Sequence, residues 1–424
     1  MKILCLNRYF AIIMYKMQFN CILYKGYCFM MINRALSAII TRLSKQFPVI
    51  AIMGPRQSGK TTLVKHLFSH YTYVTLEDID IRALAQEDPR AFFASYAHHE
   101  GLIIDEIQEV PHLFSYMQGI VDALNRPGFF VITGSQNFLL YEQITQTLAG
   151  RIALLTLLPL SIEELAAANL LPATPEQTIL QGFYPRPYAH TIDRQIWLSN
   201  YVATYVERDV RQVLNVSNVI AFQRFLKLCA ARVGQLINYA DLARDADIAP
   251  NTAKAWISIL EASYIIKLLY PYFKNFNKRI IKSPKLYFCD TGLACSLLGV
   301  KTAQELYLHP LRGPLFESMI IGELFKCYYN ESLIPPLYFW RDVQGHEVDC
   351  IIEKSSDVLI PIEIKAGMTV HSDFFKGIAE WRAISQDKKG SAYVIYGGNT
   401  EHKQAQSHLI AWNHIAQLFS LHLK

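Results

Sequence analysis

The stretch Pro48-Val49-Ile50-Ala51-Ile52-Met53-Gly54-Pro55-Arg56-Gln57-Ser58-Gly59-Lys60-Thr61-Thr62 decides the fold. Its first six residues form an unbroken apolar run, which reads as a strand buried on both faces. The next eight match G-x-x-x-x-G-K-[ST], and a helix is expected to begin near Gly59. In such a loop the glycines let backbone N–H groups curl around phosphates, and the helix N-terminus adds its positive end. Lys60 is then placed to reach the outer phosphates, and the Thr61 hydroxyl to ligate Mg²⁺. Gly54 to Thr62 are therefore the candidate nucleotide-binding residues.

Outward from this loop, four further short apolar runs alternate with amphipathic stretches: 72–76, 101–106, 129–133 and 152–158. That alternation predicts an α/β layered domain with a parallel sheet. The run Leu102-Ile103-Ile104-Asp105-Glu106 ends in two adjacent carboxylates. Asp105 is the candidate partner of the metal, and Glu106 the candidate base that polarises an attacking water. The run ending in Thr133, Ser135 and Gln136 offers a polar sensor of the terminal phosphate, with Gln136 or Ser135 in that role.

The chain has 424 residues, enough for two or three domains. Hydrophobic residues make up 51% and charged residues 18%, a balance that predicts a globular chain and excludes a disordered one. The formal charge of +5 is mild, so any nucleic-acid contact has to come from a local basic patch. Eight cysteines without C-x-x-C spacing argue against a zinc site and for a reduced, cytoplasmic protein. Residues 1–30 are apolar but interrupted by Lys2, Arg8, Lys16 and Lys25, which leaves no run of spanning length. They are expected to be an extension outside the native start, because organised patterning begins near Met31. The expected division is 1–30 extension, 31–160 nucleotide domain, 161–217 helical lid or linker, 218–290 middle domain and 291–424 C-terminal domain.

The middle domain reads as helix, turn, helix and then two strand-like runs, the order of a winged helix-turn-helix. Asn251, Thr252, Lys254 and Ser258 would face a major groove, while Trp256, Ile257 and Leu260 anchor the helix. No acidic residue occurs from Ala262 to Cys289, whereas Lys267, Lys274, Lys278, Arg279, Lys282 and Lys285 do, interleaved with Phe273 and Phe276. Such cations either neutralise DNA phosphates or face the acidic edge of another domain.

Near the C-terminus, Asp349 and Glu363-Ile364-Lys365 lie on two strand-like runs. A hairpin centred near Ser356 would set Asp349 across from Glu363, with Lys365 on the same face. Carboxylates converging there would suit Mg²⁺. Glu317, on a preceding apolar helix, is the third candidate carboxylate, with Glu323 as the second choice.

The strings GPRQSGKTTL (54–63), DEIQ (105–108), ITGSQNFLL (132–140) and LAGR (148–151), with LLPLSIEEL (157–165), resemble the AAA-type core of a bacterial and archaeal family of predicted ATPases with a C-terminal domain of unknown function. The resemblance runs from about Met31 to the C-terminus. It implies ATP and Mg²⁺ as ligands, and an arginine from a lid or a neighbouring subunit of a homo-oligomer, for which Arg151, Arg208 and Arg211 are candidates. The cluster Glu207-Arg208-Asp209 is similar to one in the family's helical linker. The helix, hairpin and D…E-x-K spacing, led in by Arg341 and Gly345-His346-Glu347-Val348-Asp349, resembles the PD-(D/E)XK nuclease fold. That likeness implies a nuclease-like site of Glu317, Asp349, Glu363 and Lys365. The expected function is ATP turnover coupled to DNA binding or processing; the alternative is a nucleotide-controlled switch whose nuclease-like domain is inactive.

Overall fold

The computed structural model describes residues 21–24, 27–97, 100–135, 147–206, 219–272, 282–355, 358–385, 390–404 and 407–423. Cys21–Tyr24 (β1) and Tyr27–Met30 (β2) pair as an antiparallel hairpin. Each of the five apolar runs then forms a strand: Val49–Met53 (β3), Thr72–Thr75 (β4), Leu102–Asp105 (β5), Phe130–Gly134 (β6) and Ile152–Thr156 (β7). They make one parallel sheet in the order β4-β5-β6-β3-β7. Alternate side chains of β3 explain its unbroken hydrophobicity. Val49, Ala51 and Met53 join the large core with Phe92, Phe114 and Met117, while Ile50 and Ile52 pack on the other face with Leu36, Ile40, Leu63 and Val64.

This strand order places the site. β6 lies between β3 and β5, so the carboxyl ends of β3, β6 and β5 are side by side, at the kind of crevice where open α/β sheets bind ligands. Beyond β7, Ser161 opens a helix at Ile162–Ala167 through a reciprocal capping box with Glu164. Helices Pro175–Gln181, Arg186–Ala189 and Arg194–Tyr201 follow; Arg186 and Ala189 of the second and Tyr201 of the third lie beside the loop after β3.

The middle segment contains helices Val219–Ala231, Tyr239–Ala246 and Pro250–Ala262, then the antiparallel ribbon of Ile266–Leu269 (β8) and Lys285–Phe288 (β9). Trp256 packs edge-on against Phe222 and Phe225, which fixes the third helix on the first. The C-terminal part has a long helix, Arg312–Asn330, and six strands: Leu337–Arg341 (β10), Glu347–Ser355 (β11), Val358–Lys365 (β12), Tyr393–Tyr396 (β13), His402–Gln404 (β14) and Ser407–Ala411 (β15). Their sheet is mixed, in the order β10-β11-β12-β13-β15-β14, and helix Lys376–Ser385 makes the crossover from β12 to β13.

One continuous core cluster runs from Ile32 through the middle segment to Phe419. Helix Arg312–Asn330 packs on β7, β9 and β12 together, so the C-terminal part is seated against the edge strand of the parallel sheet. Among the described residues no helix is long and apolar enough to cross a membrane.

Candidate functional site

At the carboxyl end of β3 the loop folds tightly back on the sheet. A Cβ on Gly54 would lie 2.1 Å from the Leu157 carbonyl oxygen, so this position needs glycine. Gly59 has φ 93° and starts helix Lys60–Leu67. Lys60 is 5% exposed, and its Nζ donates to the carbonyl oxygens of Gly54 and Pro55, both at 2.9 Å. The Ser58 hydroxyl is buried with no hydrogen-bond partner among the described residues, an orphan donor in the loop itself.

The carboxylates stand across the cleft. Thr61 Oγ1 donates to Asp105 Oδ2 at 2.9 Å, Tyr73 donates to the same oxygen at 2.8 Å, and Thr133 donates to Oδ1. Glu106 holds a left-handed backbone (φ 56°), a conformation costly for a non-glycine residue and common where a side chain must be aimed. Gln108 and Ser135 donate to its carboxylate, Ser135 at 3.0 Å. Burial pushes the Glu106 carboxyl up, but Lys60, Gln108, Arg56 and Ser135 together outweigh it and hold the group below its usual range. Both carboxylates, the Thr61 hydroxyl and Lys60 line one cleft of about 430 Å³, along with Arg56, Gln57, Gly59 and Thr62. A hydroxyl and a carboxylate in contact form a hard oxygen pair suited to Mg²⁺.

Several positions were not singled out in the sequence. Arg34 is buried and clamps the loop: its Nη1 donates to the Ser58 carbonyl at 2.7 Å, Nη2 to that of Leu158 at 2.6 Å, and Nε to Glu164 at 3.0 Å. Tyr201 donates to the Arg56 carbonyl at 3.2 Å, and Arg186, from the short helix Arg186–Ala189, lines the cleft. These contacts come from distant segments and leave no local pattern to find. Arg151 does not line the cleft of its own chain. It sits at the amino end of β7, where its carbonyl accepts from Val49 N, and Asp122 chelates its guanidinium at 2.6 and 3.1 Å. It lies at the opposite end of the sheet from its own loop. Gln136, Arg208 and Arg211 lie outside the described residues.

At the C-terminus, the β11–β12 register runs Cys350↔Ile362 and Ile351↔Pro361, so its continuation sets Asp349 opposite Glu363 as the spacing predicts. Lys365 Nζ donates to Glu363 Oε2 at 2.6 Å and to Asp349 Oδ2 at 3.5 Å. Glu317 takes part through a different cation, accepting from Lys285 Nζ at 2.9 Å. Burial, reinforced by Asp349, raises both the Glu317 and the Glu363 carboxyls, the latter to about 8. Among the described residues no three His, Cys, Asp or Glu side chains are arranged to hold a metal, so the expected Mg²⁺ cage does not fit this arrangement. Glu323, the second choice, lies outside this cluster. It points away, to Ile162 N at 2.8 Å and Lys326 Nζ at 2.6 Å, where it caps the helix that follows β7.

The model of the AAA domain matches residues 46–166, the sheet and cleft just described. Two domains of unknown function match the rest, DUF8612 at 173–304 and DUF4143 at 312–415. An uncharacterized protein of Mycobacterium tuberculosis is 32% identical over 335 residues, covering 77% of this chain and 73% of that protein. The chain belongs to the family of that mycobacterial protein. Another uncharacterized protein, from Methanocaldococcus jannaschii, is 24% identical over 346 residues and covers 73% of each chain. Among solved structures, the Walker-type ATPase paby2304 of Pyrococcus abyssi is similar at 14% identity and a TM-score of 0.40, covering 63% of this chain and 96% of that one. That likeness is too loose to carry a conclusion.

Within this family member, the stretch matched by DUF8612 holds the basic middle segment. Asn251, Lys254 and Ser258 are exposed, Thr252 is half-buried, and Trp256, Ile257 and Leu260 are buried. Lys282 is exposed; Lys274, Lys278 and Arg279 lie outside the described residues. Two cations of the run are not free for phosphates. Lys267 lies over the rings of Tyr264, Phe325 and Tyr329, and Lys285 is 3% exposed beneath the C-terminal carboxylates.

Proposed function

We propose that this AAA-domain protein binds and hydrolyses ATP with Mg²⁺ in the cleft at the carboxyl end of β3, and couples turnover to contact with DNA. The observation that carries the reading is the convergence of Lys60, Thr61, Asp105 and Glu106 on one cleft. Mg²⁺, when bound by Thr61 and Asp105, neutralises charge on the phosphates. The loop N–H groups from Gly54 to Thr62 hold phosphate oxygens, and Lys60 exchanges its two carbonyl partners for them. Glu106, ionised and aimed by Gln108 and Ser135, orients and deprotonates the water. Gln136 senses the terminal phosphate, and Arg208 or, from a second copy of the chain, Arg151 supplies the mobile cation.

For the DNA contact, three helices followed by a two-stranded ribbon support a winged-helix reading. The exposed face of Asn251 and Lys254, with Thr252, enters the groove, while Lys274, Lys278, Arg279 and Lys282 meet phosphates. The C-terminal part is read as a nuclease-like fold. The ion pairs of Lys285 and Lys365 favour the second reading for that part, a switch that responds to nucleotide without cutting DNA.

Glu106→Gln tests the core claim. The variant should bind ATP as the parent does and release phosphate roughly 10²-fold more slowly or worse, the effect of losing a positioned general base. Equal turnover would move the base elsewhere.

A further inference from the structure

Among the described residues three arginines line the cleft: Arg34, Arg56 and Arg186. Arg34 is fully engaged, with its donors taken by the Ser58 and Leu158 carbonyls and by the buried Glu164 carboxylate. Arg186 is exposed. Arg56 combines the two situations: its side chain is 8% exposed, yet Glu77, which it pairs with at 3.2 Å, is 58% exposed. A surface carboxylate pulls weakly, because water and salt screen it. This pair therefore opens at little cost.

The direction of the pair matters more than its strength. Arg56 stands on the loop after β3, and Glu77 stands two residues beyond the carboxyl end of β4. Between those strands in the sheet lie β6 and β5, and β5 carries Asp105 and leads into Glu106. The Arg56 side chain thus crosses the crevice past the end of β5, and its charge joins that of Lys60 in holding the Glu106 carboxyl down. The backbone beneath it is fixed as well. Tyr201 donates to the Arg56 carbonyl at 3.2 Å, and the neighbouring Gln57 holds a left-handed conformation, φ 63°, that turns the loop at this point. Lys60, Arg56 and Glu106 surround one place. A water polarised by Glu106 lies between that carboxylate and the terminal phosphate of ATP, so a cation crossing in front of β5 meets that phosphate.

We propose that Arg56 is a catalytic residue of this cleft: when ATP binds, its guanidinium leaves Glu77 and donates to the terminal phosphate, so that each chain carries its own arginine for hydrolysis. The inference rests on the ATP reading above. In the step it serves, the water oxygen bonds to the terminal phosphorus while the bond from that phosphorus to the bridging oxygen breaks. The electron pair of the broken bond stays with ADP, and a proton of the water passes to Glu106. Negative charge in this transition state is spread over the outer oxygens. A planar guanidinium meets two of them with parallel N–H groups, which the single ammonium of Lys60 does not do. A mobile arginine from Arg208 or a second copy then adds to a basal rate that Arg56 already supports.

The test is steady-state ATP hydrolysis by the full chain, with ATP and ADP titrations and a melting curve for each variant. Arg56→Ala should lose roughly 10²-fold or more in kcat, the order lost with one preorganised transition-state donor, while ADP affinity changes little, because ADP has no terminal phosphate. Should Arg56→Ala fail to fold, Arg56→Gln keeps most of the side chain's length and should show the same split. Glu77→Gln should bind ATP more tightly and ADP no differently, since Arg56 no longer has a carboxylate to leave. Mixing Arg56→Ala with Lys60→Ala separates a resident arginine from a borrowed one. The first chain keeps Lys60, the second offers every arginine to a neighbour, and the mixture should stay as slow as Arg56→Ala alone. Recovery in the mixture overturns the proposal, as does an unchanged kcat in Arg56→Ala. Equal losses of kcat and ADP affinity in Arg56→Ala and Glu77→Gln overturn it too, by making the pair a structural clasp of the loop. A parent that binds no ATP sinks the ATP reading itself, and this inference with it.

Discussion

At the nucleotide cleft and at the C-terminal cluster alike, strands end in carboxylates beside a buried lysine, but the two lysines have different partners. Lys60 donates to two backbone carbonyls of its own loop and acts on Glu106 only through its charge. Lys285 rests on two carboxylates from other segments; if it left, Glu347 would keep Arg341, but Glu317 would keep only the uncharged Tyr287 hydroxyl among the described residues. The first is a cation held ready for an incoming anion. The second is a cation already used. Cavity and charge count alone would not separate them; the identity of the partner does.

The largest expected effect follows from that difference. Lys60→Ala should leave the fold intact and weaken ATP binding by roughly 2–5 kcal/mol, the cost of removing one partner of a desolvated charge pair, or about 30-fold to several-thousand-fold. A nucleotide titration beside a melting curve reads both quantities. Unchanged affinity would remove Lys60 from the phosphate site. A fold lost on Lys60→Ala as readily as on Lys285→Met would erase the distinction between the two lysines.

Most of the nucleotide domain was legible because its determinants are local. The three central strands, β3, β5 and β6, are contiguous runs buried throughout, the loop is one octapeptide, and Asp105 and Glu106 are adjacent. The C-terminal hairpin was legible for the same reason: period two along β11 and β12 sets Asp349 opposite Glu363. What escaped were partners contributed from afar. Lys285 read as one more cation in a basic run, and nothing near it in sequence announces Glu317 or Glu347. Glu323 and Glu317 share a helix and an apolar context, yet only Glu317 faces the hairpin; its fellow caps the helix after β7. Arg34 clamps Ser58 and Leu158 without any motif.

The two sites should also respond to pH with opposite signs. Glu363, raised by burial and by Asp349, has a folded pKa above its unfolded one. Its contribution to stability is complete below the unfolded value, near 4.5, and is lost as pH rises through about 8. Glu106 is lowered despite its burial, so its contribution is present above the unfolded value and is lost as pH falls through the folded one. Denaturant unfolding of the parent, Glu363→Gln and Glu106→Gln across this range separates them. Glu363→Gln should flatten the decline from mildly acidic to mildly alkaline pH, whereas Glu106→Gln should change the profile only on the acid side. Parallel profiles for all three proteins would mean that neither environment perturbs its carboxyl as described.

The smallest effect concerns the basic segment between the two sites, whose cations divide into used and free. Lys267 and Lys285 are engaged with aromatic rings and carboxylates, whereas Lys254 and Lys282 are exposed. If the segment holds DNA, only the free ones contribute counterion release, and each phosphate contact adds about 0.9 to the slope of log affinity against log salt. Lys254→Glu with Lys282→Glu should therefore weaken binding to any duplex sequence and lower that slope by roughly 2. The loss should fall on all sequences alike, because phosphate contacts carry no base information. A fluorescence anisotropy titration at several salt concentrations measures both terms. If affinity and slope survive the double reversal, the exposed lysines do not meet phosphates, and the segment's chemistry is the inward one already visible at Lys285: a basic ribbon whose partner is the acidic cluster of its own chain.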